Sequence, residues 1–331
     1  MAEKTLSLSQ TDLNLAIARY LGMNMTADNW SDNEKIVIDM ILQSGLRQFY
    51  LPPKIYDDKP AHEWSFLRPI TSLTTVATYG TGTLAITKTG TTVTLTDGVW
   101  PSWTFTHGAL VIDSTEYAIA SRTDDTHIEL SAAWAEDTET AATYSLRHNG
   151  NYTLPDNFGA IEGNMTFGPS DNNPDIRQVG EGQIRSLRSE TTTRSTPRLF
   201  AIRPIQTTAE AVGQRFEAQF YPIPNDAYIL EYRIMLLLDK LAAAAYPYGG
   251  QLHAETIKAS CRAAAEVQED GKSDGPMWNE FVKRLSASIR LDQMSSTPDY
   301  FGYNGDDSDG ADTAKLTRHS QSTVVTYDGD A

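Results

Sequence analysis

Residues 80–146 constrain this chain more than any other stretch. They read GTGTLAITKTGTTVTLTDGVWPSWTFTHGALVIDSTEYAIASRTDDTHIELSAAWAEDTETAATYSL. Thr, Val, Ile, Tyr and Phe alternate with polar residues, and turn signals recur at short intervals, which is strand chemistry. The segments on either side carry helical spacing instead. The chain is therefore expected to be α+β, with a β module interrupting a helical protein. Such an organisation points to assembly rather than catalysis.

The flanks supply the helices. Leu13, Ala16, Ile17, Tyr20 and Leu21 form one apolar stripe, predicting a helix near Thr11–Leu21 capped by Gly22. Ser31 and Glu34 form a capping box that opens a second helix. Ile36, Ile38, Met40, Ile41, Leu42, Leu46 and Phe49 mark that helix as heavily buried, and Pro52-Pro53 stops it. Two late helices are expected over 251–268 and 276–293, the second with Pro276 near its first position, where a missing N–H does no harm.

Between them, strands are expected near 83–87, 91–96, 109–112, 115–121, 127–131 and 142–147, with Asn149-Gly150 as the exit. A second β region has strands near 160–168, 176–187, 198–204 and 214–220. Gly168–Pro197 reads as an extended β-hairpin arm, with Gly180-Glu-Gly182 as a hairpin turn. Tyr228, Leu230 and Tyr232 suggest one more strand, turning helical through Met235–Ala245. From Pro298 the chain is polar and Gly/Asp-rich, an extended tail with one strand-like segment, Thr323–Tyr327. The expected division is 1–70 and 226–297 as the two parts of a helical bundle core, 71–150 as an inserted β-sandwich or barrel, 151–225 as the arm-bearing β region, and 298–331 as the tail.

Composition narrows the function classes. The 331 residues carry a formal charge of −16, which repels nucleic acid and anionic membranes overall. Apolar runs such as Ile234–Leu238 fall far short of the roughly 20 residues of a membrane helix. MAEKTLSLSQTD lacks the apolar core of a signal peptide, so folding in a cytoplasm is expected. Cys261 is the only cysteine, which excludes an intrachain disulfide, and its place on an apolar stripe reads as an inert thiol. The histidines at 62, 107, 127, 148, 253 and 319 lack metal-ligand spacing and read as structural or solvated.

Nucleophile elbow, P-loop and HExxH motifs are absent, and Gly80-Thr-Gly82 does not lead into a helix. The run from Asp306 to Gly310 fails the calcium-loop pattern at both ends. No carboxylate pair is singled out as a glycosidase site. No cofactor is expected. Trp100, Trp103, Tyr117, Trp134 and Tyr144 fit either a sugar-binding face or a small sandwich core, with the core preferred. Between Asp175 and Pro204 six arginines face three acids, a net +3 in an acidic chain. Arginine on a polar arm suits bidentate contact with partner carboxylates and also phosphate contact, with partner protein favoured over DNA and an ordinary solvated hairpin as the alternative.

Several phrases resemble the head-to-tail adaptor (connector) proteins of tailed bacteriophages, including the tail-tube adaptors of short-tailed phages. An N-terminal helical pair ends in Phe49-Tyr50-Leu51-Pro52. The β insert carries Tyr117-Ala-Ile119-Ala-Ser121, then Ile128-Glu-Leu130, a strand phrase frequent in phage structural proteins. Tyr152-Thr-Leu154-Pro155-Asp156 and Tyr221-Pro222-Ile-Pro224 look like junction phrases of those proteins, and the late helices complete the pattern. The resemblance spans most of residues 10–295. The long insert departs from the smallest, all-helical members.

The resemblance implies a structural virion protein without a catalytic step. It implies a ring, typically of twelve copies, below the portal protein, assembled in the host cytoplasm and located at the virion neck. Such a ring extends the DNA channel without binding DNA specifically and offers a platform for tail-tube, nozzle or fibre proteins. Expected partner contacts are Arg185, Arg188, Arg194 and Arg198 of the arm, and Thr323, Val324, Val325, Thr326 and Tyr327, which suit strand addition to a neighbouring sheet. A stopper or nozzle subunit is the nearest rival. A carbohydrate-binding or glycan-cleaving protein, using the aromatic β module, is the rival from another class.

Overall fold

The structure, a computed structural model, describes residues 4, 6–55, 60–168, 171, 173–205 and 213–295. The tail over 298–331 and its 323–327 segment lie outside these residues. The fold is α+β. The chain divides into two compact units: Met1–Ser65 with Leu241–Ala331, and Phe66–Lys240. Its helices are α1 (Gln10–Tyr20), α2 (Asp32–Tyr50), α3 (Thr104–His107), α4 (Glu181–Glu190), α5 (Gly250–Asp270) and α6 (Pro276–Ser295).

The first unit joins the two ends of the chain. Within it α5 contacts α1, α2 and α6. Leu13 and Ile17 of α1, Leu42 and Phe49 of α2, Ile257 and Cys261 of α5, and Phe281 and Leu285 of α6 are fully buried. Each large apolar side chain there contributes about 1.5–3 kcal/mol. Capping boxes open both early helices: Ser31 with Glu34 as the sequence predicts, and Ser9 with Asp12 besides. At the start of α6 the buried Glu266 carboxylate accepts the N–H groups of Met277 (3.0 Å) and Trp278 (3.1 Å). A negative charge at this helix N-terminus is favourable.

Two residues expected in the core are not there. Ile36 and Met40 are 57% and 61% exposed. They lie one turn apart, and at 100° per residue they fall opposite the buried stripe of Ile38, Leu42, Gly45 and Phe49. The helix is correctly placed; its apolar content is wider than the face it buries.

The second unit is built on two cores. In one, the sheet β6 (Ile119–Arg122), β7 (His127–Leu130), β3 (Thr92–Thr96), β2 (Thr83–Ile86), β8 (Glu139–Ala142) shares a cluster with the sheet β5 (Thr115–Tyr117), β4 (Gly108–Ile112), β9 (Ser145–His148). In the other, β1 (Ile70–Thr74), β15 (Ile229–Leu236) and β11 (Phe158–Phe167) form one sheet. β10 (Asn151–Thr153), β14 (Arg215–Tyr221), β13 (Leu199–Ile205) and β12 (Arg177–Gln178) form its companion. Leu73, Leu230 and Tyr232 from the first, and Phe200 and Phe220 from the second, fill one cluster. β1 therefore joins the distant β15 rather than the module that follows it in sequence.

Two expectations are overturned. The extended β-hairpin arm is not present: after the two-residue β12 the chain enters α4, and Gly180 is that helix's N-cap, not a hairpin turn. Ile184 is buried and Leu187, three residues on, partly so, while Glu181 sits in the first turn and Arg188 in the last. One short apolar stripe and favourable end charges hold this polar segment helical. The helix through Met235–Ala245 is also absent. Met235 and Leu236 continue β15, whose Leu230, Tyr232 and Ile234 alternate into the core and whose backbone pairs on both sides.

Candidate functional site

The connection from β9 to β10 passes from one core of the second unit to the other in two residues. Gly150 turns it with φ +78°. Its N–H donates to His148 Nδ1 at 3.0 Å, and the Asn151 N–H donates to Asn149 Oδ1 at 3.0 Å. Because Nδ1 accepts, the neutral imidazole carries its proton on Nε2.

Two arginines hold this turn from outside. From α4, Arg188 Nη2 donates to the carbonyls of Gly150 (2.9 Å) and Phe220 (2.8 Å), and Nη1 donates to Asn151 Oδ1 (2.7 Å). The left-handed backbone at Gly150 favours glycine, and a Cβ there would also crowd Arg188 Nη2 at 2.7 Å and Ile223 at 3.1 Å. Arg194 Nη1 donates to the His148 carbonyl at 2.9 Å. Burial beside Arg203 lowers the Arg188 pKa to about 10.

Aromatic rings surround His148. Tyr152 stacks on it at 4.2 Å and 21°, Trp103 meets it edge-on at 5.3 Å, and His107 lies 5.2 Å away. Burial, then the neighbouring His107, Arg194 and Arg188, push the His148 pKa down from 6.5 to about 3. His107 is lowered too, mainly by burial. Burial raises Tyr152 to about 12. All three rings are uncharged at neutral pH. Beside them opens a cleft of about 370 Å³, walled by Trp103, Thr106 and His107 on one side and by Thr74, Tyr152 and Thr153 on the other.

The residues singled out from sequence are placed apart. Arg188 and Arg194 serve the turn just described. Arg185 is exposed and pairs with Glu181 at 3.5 Å, and Arg198 is exposed at the foot of β13. Thr323–Tyr327 lie outside the described residues. The five aromatic residues of the β module do not form one face. Trp100 and Trp134 are buried, donating their indole N–H groups to the carbonyls of Thr126 (3.0 Å) and Asp137 (2.8 Å), and Trp103 alone of the five lines the cleft. The cluster around His148 leaves no motif in the sequence, because its histidines lie 41 residues apart with no common spacing. The Asn149-Gly150 turn was the only local signal.

The first unit contains a second polar centre. Asp292 Oδ2 accepts the Ser65 N–H at 3.0 Å and lies 2.9 Å from His62 Nε2, while Oδ1 accepts the Ser65 hydroxyl at 2.5 Å. Serine, histidine and aspartate thus meet, but the hydroxyl is given to the carboxylate rather than to the imidazole. This wiring ties residues 62–65 to α6 and does not activate a nucleophile. Among the described residues there is no group of three or more potential metal-ligating His, Cys, Asp or Glu side chains, and no helix is long and apolar enough to cross a membrane.

No protein-family model matches the chain, and no curated protein matches it significantly.

Proposed function

We propose that this chain is a structural virion protein: a head-to-tail adaptor of a tailed bacteriophage. Copies form a ring of twelve below the portal, extend the DNA channel and present a platform for the tail. The protein performs no catalytic step. The observation that carries the reading is the first unit, in which α1 and α2, before the segment Phe66–Lys240 in sequence, pack with α5 and α6, which follow it.

Two further observations support it. A closed ring needs two different faces on each subunit. The helices carry separate exposed apolar pairs: Ile36 and Met40 on α2, and Leu291 and Met294 on α6. The net charge of −16 lets DNA pass with little adhesion. Arg188 and Arg194 are engaged inside the subunit, so partner contact in this reading falls to the exposed Arg185 and Arg198 and to Thr323–Tyr327.

Native mass measurement and electron microscopy of the purified protein, with and without portal protein, test the proposal. The expected result is a closed ring that docks on the portal. A persistent monomer that never joins portal-containing particles overturns it. A ring that docks only on an already assembled neck selects the stopper or nozzle reading instead.

A further inference from the structure

We propose that the cleft beside His148 binds an uncharged, hydroxyl-bearing ring, that is, one sugar residue of a glycan. The inference rests on the cleft alone and is independent of ring assembly. Its volume of about 370 Å³ lies within the range of small-ligand sites. The walls come from both cores of the second unit. Trp103, Thr106 and His107 belong to α3 and its lead-in, whereas Tyr152 and Thr153 belong to β10. Two independently packed elements keep such a space open, so it is not a gap within one core.

The lining decides the ligand's chemistry. Among the described residues no Lys, Arg, Asp or Glu side chain lines the cleft, so the lining offers no complement to a charged ligand. A phosphate or carboxylate would find no counter-charge in this lining, which favours a neutral ligand over an anionic one. The polar groups present are the hydroxyls of Thr74, Ser102, Thr106, Tyr152 and Thr153 and two neutral imidazoles. The hydroxyls both donate and accept, as each sugar hydroxyl does, while His148, whose Nδ1 is taken by the Gly150 N–H, has its Nε2–H to donate. Trp103 and His107 add ring surface on which the C–H face of a sugar packs. A nucleobase in a polynucleotide would also stack, but its phosphates meet a chain of net charge −16.

The test uses the full-length chain, fluorescently labelled, on an array of bacterial and animal oligosaccharides, followed by calorimetric titration of the best hit. Saturable binding is expected, weakened about tenfold or more in Trp103→Ala, as loss of one stacking surface implies. Trp103 also packs against the module core, so Thr106→Arg is the second variant. Thr106 is exposed, and an arginine there fills the cleft without touching the core. Binding that disappears in Thr106→Arg with an unchanged melting temperature supports the site. Absence of binding to every glycan, binding that survives both substitutions, or displacement of the glycan by an uncharged nucleoside overturns it.

Discussion

Gly45 of α2 and Cys261 of α5 bring two helix backbones into direct contact: a Cβ on Gly45 would lie 2.6 Å from Cys261 Cα. The neighbouring Ser260 hydroxyl donates to the Gly45 carbonyl at 2.7 Å. Ala259, Ala263 and Ala264 keep the same helix narrow and are themselves buried. The approach of an early helix to a late one is therefore fixed by the absence of a side chain. Gly45→Val is expected to lower stability by about 3 kcal/mol or more, since the obstacle is backbone and cannot rotate away. Gly182→Ala is the control. It lies in α4 with no atom within 4 Å of an added Cβ, and should raise stability by about 0.5–1 kcal/mol. Urea midpoints of the two variants check both signs.

The arginines of residues 177–203 divide into two kinds. Arg188→Ala leaves the Phe220 carbonyl without its donor and the Gly150 carbonyl with only the Phe220 N–H, and a loss of about 2–4 kcal/mol is expected. Arg188→Lys should recover only part of it, because an ammonium cannot reproduce the planar fork. Arg185→Ala should change stability by no more than about 0.5 kcal/mol, since its ion pair with Glu181 is exposed. If the ring uses this region, Arg185→Ala together with Arg198→Ala weakens assembly without moving the melting temperature. Thermal melts paired with native mass measurement separate the two effects.

This division shows where sequence reading stopped. Helices with complete signals were legible: Ser31 and Glu34 fixed the start of α2, and Pro276 that of α6. Strands of the module were legible through period-two alternation, as in Leu84, Ile86, Val93 and Leu95. α4 was not, because a polar segment with one buried residue, Ile184, has too little apolar content to declare a period. The end of β15 was missed because Ile234–Leu238 is a continuous apolar run, which periodicity alone cannot assign. The cleft was invisible for a different reason. Thr74, His107 and Tyr152 are brought together only by the pairing of β1 with β15 and of β10 with β14.

Glu266 and Gly275 form a second close fit. A Cβ at position 275 would lie 2.3 Å from Glu266 Oε1, in the loop where that carboxylate caps α6. Glu266→Ala should destabilise the first unit by about 1–2 kcal/mol, through loss of the cap and its favourable charge. Gly275→Ala should act in the same direction by displacing the carboxylate. Combined in one chain, the two losses should be less than additive, because both act through one cap. Full additivity in a double-mutant cycle would show that Gly275 matters for another reason.

His148 makes the second unit sensitive to acid. The folded pKa of about 3 lies below the ordinary 6.5, so between those values the unfolded chain binds a proton that the folded chain does not. Stability then rises with pH across this window and falls as the pH drops below about 6.5. The groups facing the ring reinforce the sign: Arg188, Arg194 and His107 disfavour a positive imidazole, and protonation of Nδ1 breaks the bond from the Gly150 N–H. At about pH 5 the expected loss from this one group is on the order of 2 kcal/mol. His107 and His253 are lowered as well and act in the same direction, so the slope must be measured against a variant. His148→Asn removes the titration while leaving an oxygen near the Nδ1 position to accept the Gly150 N–H. Urea midpoints at about pH 7 and about pH 5 should converge for the variant relative to the parent chain. Identical pH slopes in the two proteins would mean that His148 is not the group that titrates.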